Sequence, residues 1–126
     1  MKKLFAPDMY GNQPCSYMLA SEAQKKAVCN GCGSKGMDKK WVNLLDHLCG
    51  VDLLPACNIH DWMYQYGVSE EDKVYADEVF HGNMNKIVDA GSWFLKYPRR
   101  LIVDEYWLAV KAFGDSAFWA NKLKEI

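Results

Sequence analysis

The segment Cys57-Asn58-Ile59-His60-Asp61-Trp62-Met63-Tyr64 lies inside a strongly helical pattern that predicts a helix over residues 53–66. At helical spacing, Cys57, His60 and Tyr64 share one face of this helix. Asp61 is rotated by about 100° toward a different neighbour. One helix therefore offers an imidazole base on one face and an acidic side chain on another. The plainer alternative is a core histidine followed by a surface aspartate.

Length and composition limit what this chain can be. With 126 residues it fits one domain, 1–126, that buries most of its apolar surface in a single core. With a net charge of −1, the chain has no excess of positive charge that would attract nucleic acid. For the same reason, any membrane contact is expected to be peripheral and largely apolar. No window is apolar enough to predict a transmembrane segment.

The sequence leaves the compartment open. The start, Met1-Lys2-Lys3-Leu4-Phe5-Ala6-Pro7-Asp8, is basic like a signal peptide but lacks the apolar middle segment, so we expect no export signal in the chain as written. The five cysteines permit one or two disulfides with a thiol left over, but not a dense secreted framework. They are Cys15, Cys29, Cys32, Cys49 and Cys57.

A second helix carries a carboxylate on its apolar face. Ser69, with Asp72 three residues later, matches a capping box and predicts a helix over residues 70–90. Its inward stripe is Val74, Asp77, Phe80, Met84 and Ile87 or Val88. A buried carboxylate is costly without a partner, and the short turn makes the two helices antiparallel, so we expect Asp77 to meet His60. The alternative is a boundary carboxylate that faces water.

The other segments predict further helices and one shaped loop. Residues 16–28 favour a short helix, residues 98–113 an amphipathic helix, and a last helix begins at about residue 116. The predicted apolar side of the 98–113 helix is Leu101, Ile102, Glu105 or Tyr106, Leu108, Ala109, Ala112 and Phe113. Residues 29–40 form a glycine-rich loop. Since no strand pattern is present, the predicted fold is all-α, a single domain in which an antiparallel helix pair carries a His/Asp dyad beside this loop.

A histidine paired with a carboxylate favours hydrolysis assisted by a hard cation. Asp77 would hold one nitrogen of His60 and fix its tautomer, which leaves the other nitrogen to take a proton from water. Asp61 would give oxygens to a cation such as Ca²⁺, with loop carbonyls completing the shell. Such a cation polarises an ester carbonyl and stabilises the oxyanion.

Three segments, which follow one another along the chain in the right order, resemble the phospholipase A2 superfamily. Cys57-x-x-His60-Asp61-x-x-Tyr64 is similar to the active-site helix of that family, and Ala76-Asp77-x-x-Phe80 is similar to its second helix. Asn30-Gly31-Cys32-Gly33 is similar to its calcium loop. The resemblance covers residues 29 to 85 and is carried by the combination of the three segments.

The resemblance implies a calcium-dependent enzyme that releases the sn-2 fatty acid from phospholipids. His60 would activate the attacking water, Asp77 would orient His60, and Tyr64 would hydrogen-bond the Asp77 carboxylate. The implied calcium ligands are Asp61 and main-chain oxygens around Gly31, Gly33 and Lys35. The resemblance also implies a Cys32 to Cys57 disulfide, a phospholipid aggregate or membrane surface as partner, and secretion.

The spacing departs from that of the animal secreted enzymes. An extra helical segment, 38–51, precedes His60, and the interval from His60 to Asp77 leaves no room for the β-hairpin of those enzymes. The chain therefore looks closer to the compact bacterial and fungal branch. The glycine pattern of the loop also differs, so Asn30 or Asp38 is an alternative calcium ligand. The second tyrosine that binds this aspartate in animal enzymes has no clear match, with Tyr106 as a candidate.

Two other functions fit parts of the sequence. Cys29-x-x-Cys32-Gly33 also resembles half of a zinc knuckle, which with His47, Cys49 or Cys57 would assemble four ligands of a small structural zinc module. Alternatively, the chain keeps the phospholipase fold as a lipid- or protein-binding module without turnover. A pure binder has no use for a costly buried dyad, which favours the enzyme.

A lipid enzyme also needs an apolar rim that docks on aggregates. The candidates for this rim are Trp41, Trp62, Trp93 and Phe94. The segment 91–97 is the strongest of them, since consecutive bulky residues in a loop cannot all turn inward. We interpret His47 and His81 as structural or surface residues, because neither has a carboxylate at a suitable spacing.

Overall fold

Helices form every regular element in the part of the chain that the computed structural model describes, which is residues 4–9, 15–29, 53–91 and 93–119. The α-helices there are α1 (Glu22–Val28), α2 (Leu54–Tyr66), α3 (Glu70–Ala90), α4 (Lys96–Phe113) and α5 (Asp115–Trp119). Two 3₁₀ turns, Tyr17–Leu19 and Trp93–Leu95, precede α1 and α4. The described chain is thus a single all-α domain without strands, as predicted. The glycine-rich loop and the segment 38–51 lie outside the described residues.

Local capping signals set the helix starts. The Ser69 hydroxyl accepts from the Asp72 amide and the Asp72 carboxylate accepts from the Ser69 amide, which confirms the predicted capping box at α3. Ser21 and Gln24 form a second capping box at α1. Because Ser21 starts α1, the predicted continuous helix over residues 16–28 is wrong, and a separate 3₁₀ turn occupies its first part.

The start of α4 also differs from the prediction. This helix begins at Lys96 and not at Pro98, because proline is tolerated in the first turn, where its missing N–H has no partner to lose. The segment 91–97, predicted as a loop, therefore contains a 3₁₀ turn and the first residues of α4. The predicted helix ends are confirmed, since Gly67, Gly91 and Gly114 follow α2, α3 and α4.

The long helix α3 lies between α2 and α4. Along the α3–α4 interface, the residue numbers of the hydrogen-bonded partners increase on α3 as they decrease on α4. These two helices are therefore antiparallel. The pairs are Lys73 with Lys111, Asp77 with Trp107, His81 with Asp104 and Asp89 with Arg100. Only residues 67–69 connect α2 to α3, which turns the chain back on itself. None of the described helices has both the length and the apolar character needed to cross a membrane.

Two apolar clusters fill the space between the helices. One joins α2, α3 and α4 through Leu53, Ala56, Cys57, Phe80, Met84, Val88, Val103, Tyr106 and Val110. The other joins α2, α3, α5 and the N-terminal segment through Met9, Ile59, Met63, Tyr64, Ala76, Val79 and Phe118. Buried Asn83 fixes the N-terminal segment, because its side-chain amide bonds both the N–H and the carbonyl of Phe5, at 2.8 and 2.7 Å.

The buried faces of α3 and α4 differ in part from the predicted stripes. On α3, Val74 is exposed and the neighbouring Lys73 is buried. On α4, the buried residues are Arg99, Val103, Tyr106 and Val110, whereas Leu101, Leu108 and Phe113 are exposed. The sequence predicted the side of α4 with more aliphatic residues to be the buried one. The observed inner face instead buries a long arginine stem, which sequence hydropathy counts as polar.

Candidate active site

His60 and Asp77 meet between α2 and α3. Both side chains are buried, and His60 Nε2 lies 2.8 Å from Asp77 Oδ1. An ionised carboxylate can only accept, so Nε2 carries the imidazole proton. The other ring nitrogen, Nδ1, is then the basic one. The geometry thus fixes one tautomer of a neutral histidine.

Tyr64 binds the same carboxylate oxygen. One turn after His60 on α2, its hydroxyl donates to Asp77 Oδ1 at 2.6 Å. The Tyr64 and His60 rings also lie in contact, with centroids 4.0 Å apart, and Phe80 stacks on the imidazole at 4.4 Å. The structure therefore brings together the three side chains His60, Asp77 and Tyr64 and packs the imidazole against two aromatic rings.

Lys73 binds the second oxygen of Asp77, a contact that sequence reasoning missed. Lys73 Nζ lies 2.9 Å from Asp77 Oδ2, and the lysine is only 4% exposed. The same ammonium donates to the main-chain oxygen of Lys111 at 3.3 Å and lies 3.5 Å from Asp115 Oδ1. The one signal for this contact in the sequence is the four-residue spacing of a lysine and an aspartate on a helix.

Asp77 is also held through its main chain. The indole Nε1 of Trp107, on α4, donates to the main-chain oxygen of Asp77 at 2.9 Å. Tyr106, the candidate for a second tyrosine at this carboxylate, packs its ring against Phe80 at 5.9 Å between centroids. Three helices, α2, α3 and α4, thus contribute contacts that place Asp77.

Burial and hydrogen bonding set the charges of this group. Burial alone would raise the pKa of Asp77, but hydrogen bonds from His60, Tyr64 and Lys73 hold that pKa below its ordinary value. Burial lowers the pKa of His60, and burial with the charge of Asp77 raises the pKa of Tyr64. Burial would lower the pKa of Lys73, but the hydrogen bond and charge of Asp77 raise it. As a result, the His60 imidazole and the Tyr64 phenol are neutral, and both donate to the ionised Asp77 carboxylate. The charged ammonium of Lys73 balances the negative charge of Asp77.

Asp61 lies beside the point where the glycine-rich segment begins. Its partly exposed carboxylate is near Cys29, at the end of α1. Burial, and then the charge of Asp61, raise the pKa of the Cys29 thiol to about 11. The thiol also donates to the main-chain oxygen of Asn58 at 3.2 Å. Cys29, the last described residue before the rest of the glycine-rich segment, thus lies close to Asp61 on α2.

The other predicted metal ligands cannot be placed. Gly31, Gly33 and Lys35, and the alternatives Asn30 and Asp38, lie outside the described residues. Within residues 4–9, 15–29, 53–91 and 93–119, no three or more histidine, cysteine, aspartate or glutamate side chains converge on a metal position. A cation at Asp61 would therefore need main-chain oxygens or side chains from outside the described residues.

The predicted zinc site and the predicted disulfide also include residues that the structure does not describe. The zinc ligand candidates Cys32, His47 and Cys49 lie outside the described residues, and so does one half of the predicted Cys32 to Cys57 disulfide. Cys57 itself is buried in the core.

The candidate rim residues separate into two kinds. Trp93 is 80% and Phe94 is 74% exposed, and their rings touch at 5.4 Å between centroids. Trp62, in contrast, is fully buried, with its ring against Tyr17 and Tyr66, so its predicted place in the rim is wrong. It lies on the helix face that packs against the N-terminal part of the chain. Trp41 lies outside the described residues.

His81 has a carboxylate partner, contrary to the prediction. His81 Nε2 lies 2.7 Å from Asp104 Oδ1 on α4, and the imidazole stacks on Trp107 at 4.1 Å between centroids. The partner comes from another helix, so no local spacing reveals it. Both side chains are partly exposed, which separates this pair from the buried His60–Asp77 contact.

Comparisons of the chain with protein-family models, curated protein sequences and solved structures found no match. Its function therefore has to be inferred from the geometry of the site and from the motifs of the sequence.

Proposed function

We propose that this protein is a calcium-dependent phospholipase A2, which hydrolyses the sn-2 ester of phospholipids. The observation that carries the proposal is the buried hydrogen bond between His60 Nε2 and Asp77 Oδ1, at 2.8 Å, with Tyr64 on the same oxygen. The residues stand in the order of the phospholipase A2 segments that the sequence resembles, with the shorter interval from His60 to Asp77 that looks closer to the compact bacterial and fungal branch. A His/Asp dyad of this form is suited to activating water.

In the proposed reaction, His60 acts as the general base. Its Nδ1 takes a proton from water as the water oxygen attacks the ester carbonyl carbon. Asp77 stabilises the imidazolium that forms without taking the proton, because the ammonium of Lys73 favours its ionised form. The same Nδ1 then gives the proton to the glycerol oxygen as the carbon–oxygen bond breaks. The products are a fatty acid and a lysophospholipid.

Asp61 is the proposed side-chain ligand for Ca²⁺. Carboxylate and main-chain oxygens are the ligands that this hard cation prefers. The position of Asp61 beside Cys29, where the glycine-rich segment begins, supports Gly31, Gly33 and Lys35 as sources of the remaining oxygens. Calcium bound there would supply charge stabilisation for the oxyanion of the tetrahedral intermediate.

Trp93 and Phe94 are the proposed contact with the phospholipid aggregate. Two neighbouring aromatic side chains that are both more than two-thirds exposed gain free energy when a lipid interface covers them. The test is binding to phosphatidylcholine vesicles by Phe94→Ala, with Phe113→Ala as the matched control. Phe113 is equally exposed but lies at the other end of α4. Weaker binding in Phe94→Ala alone supports the rim, and equal binding by both variants contradicts it.

The decisive experiment measures fatty-acid release from mixed micelles of a phospholipid that is labelled in the sn-2 acyl chain. Wild type is compared with and without a calcium chelator, and His60→Ala is compared with His81→Ala. The second variant removes another histidine with a carboxylate partner, from the neighbouring helix. We expect release that needs calcium and His60 but not His81. Absence of release by wild type with calcium, together with vesicle binding, would replace the enzyme with a binding module.

A further inference from the structure

We infer that Lys73 is a positioning residue of the proposed hydrolytic site, which fixes Asp77 through the carboxylate oxygen that His60 does not use. Its catalytic consequence rests on the proposed function. The contact itself does not, because it is a property of the buried group formed by His60, Tyr64, Lys73 and Asp77.

The two oxygens of Asp77 have different tasks. Oδ1 accepts from both His60 and Tyr64, whereas Oδ2 accepts from Lys73. The terminal torsion of an aspartate is soft and has broad, two-fold preferences. A carboxylate held only at Oδ1 could therefore turn about its last bond and tilt away from the imidazole. The ammonium at Oδ2, 2.9 Å away, opposes this rotation.

Lys73 is itself held in one place. Its ammonium has three donors, and three acceptors surround it, namely Asp77 Oδ2, the Lys111 main-chain oxygen and the Asp115 carboxylate. The Lys111 carbonyl lies in the last turn of α4, where main-chain oxygens lack helical partners and the helix dipole attracts a cation. Because each of its three ammonium hydrogens has an acceptor, Lys73 is a rigid support for Asp77 and not a mobile counter-ion.

The burial of Lys73 also argues for a specific role. At 4% exposure it lies among the least exposed polar side chains of the described chain, and a lysine is seldom buried without a partner. A hydrophobic residue at this position would cost no desolvation, and replacing a buried ion pair with apolar residues is often neutral or stabilising. The ion pair therefore has its clearest use in fixing the geometry and charge of Asp77.

The test is Lys73→Met, which retains the length of the side chain and removes its charge. Lys86→Met, on the same helix but away from Asp77, is the matched control. The first measurement is the ¹⁵N chemical shifts of the His60 ring, which report whether the imidazole proton stays on Nε2. We expect one Nε2–H tautomer in wild type and Lys86→Met, and a mixture of tautomers in Lys73→Met.

The second measurement separates kcat from KM in the fatty-acid assay. Because a misplacement of about 1 Å at a reacting group costs about 100-fold in rate, we expect kcat of Lys73→Met to fall by this order with KM little changed. An unchanged His60 tautomer in folded Lys73→Met would overturn the inference. If wild type shows no hydrolysis, the proposed function fails, whereas the ring shifts still decide whether Lys73 fixes the pair.

A second comparison covers the case in which Lys73→Met does not fold. In Asp77→Asn, the buried ammonium of Lys73 loses its carboxylate partner. In the double variant Lys73→Met/Asp77→Asn, the ammonium is removed as well. If Lys73 acts through Asp77, the double variant is at least as stable to urea as Asp77→Asn alone. If the double variant is the less stable of the two, Lys73 serves mainly Lys111 and Asp115, and the inference is overturned.

Discussion

Gly114→Ala should disturb the site from a position outside it. Gly114 follows α4, and a β-carbon built there would lie 2.5 Å from the Tyr64 hydroxyl oxygen and 2.5 Å from the Val110 main-chain oxygen. Real β-carbons essentially never come within 3.0 Å of such atoms, so at least one of the two must move. The backbone of Gly114, with φ −77° and ψ −12°, suits alanine equally well, so the conflict is purely one of space.

The expected cost follows from the atoms that must give way. Val110 is fixed in the last turn of α4, and the Tyr64 hydroxyl is fixed by its 2.6 Å hydrogen bond to Asp77. Forcing an extra carbon into a packed site costs about 1–3 kcal/mol, and losing a hydrogen bond to a charged group costs about 1.5–3 kcal/mol. Since the two effects share the same movement and are not additive, we expect a loss of about 2–4 kcal/mol in the free energy of unfolding.

The assay is urea unfolding followed by circular dichroism, with Gly82→Ala as the matched control. Gly82 is exposed on α3, and a β-carbon there would meet nothing within 4 Å. Alanine should therefore stabilise the helix by about 0.5–1 kcal/mol at position 82. The two identical substitutions are expected to shift the urea midpoint in opposite directions. A Gly114→Ala protein as stable as wild type would refute the close approach of Tyr64 to this turn.

Tyr64→Phe should lower the free energy of unfolding by about 1.5–3 kcal/mol, because the hydroxyl donates to a buried carboxylate, and urea unfolding measures the loss. The folded-state pKa of Asp77 lies below its ordinary value, so its contribution to stability is complete above pH 3.8 and is lost as the pH falls through the lower folded value. Lys73 has a raised pKa, so its contribution is lost only as the pH rises above 10.5. The urea midpoint of wild type should therefore fall below pH 3.8 and above pH 10.5, more steeply than the midpoint of Lys73→Met/Asp77→Asn. Parallel plots of midpoint against pH for the two proteins would contradict this. Asp104→Ala should cost less than about 1 kcal/mol in the same assay, because its pair with His81 is partly exposed, and a larger loss would give that pair a greater role.

The helices that carry the site could be predicted from local signals. Ser69 and Asp72 mark the start of α3 with a capping box, and a glycine follows its last residue, so its bounds needed no tertiary information. The meeting of His60 and Asp77 followed from helical spacing and a short turn, because two adjacent antiparallel helices bring such faces together.

Three of the missed features depend on contacts between distant parts of the chain. Lys73 is polar and lies at the edge of the apolar stripe, and its burial depends on Asp77 together with partners at the end of α4 and the start of α5. Trp62 is buried because the N-terminal part of the chain covers it, and His81 finds Asp104 on another helix. Neither the composition nor the periodicity of a single helix contains that information.

The order of synthesis bears on when this group of side chains is finished. His60, Tyr64, Lys73 and Asp77 lie in one helical hairpin, so a nascent chain can form their mutual contacts before α4 has left the ribosome. The carbonyl of Lys111 and the carboxylate of Asp115 reach Lys73 only after α4 and the start of α5 have also been made. Until then the ammonium and its carboxylate remain in contact with water. The hairpin therefore supplies the pattern of the site early, and α4 and α5 give it the dry surroundings in which its charges act strongly.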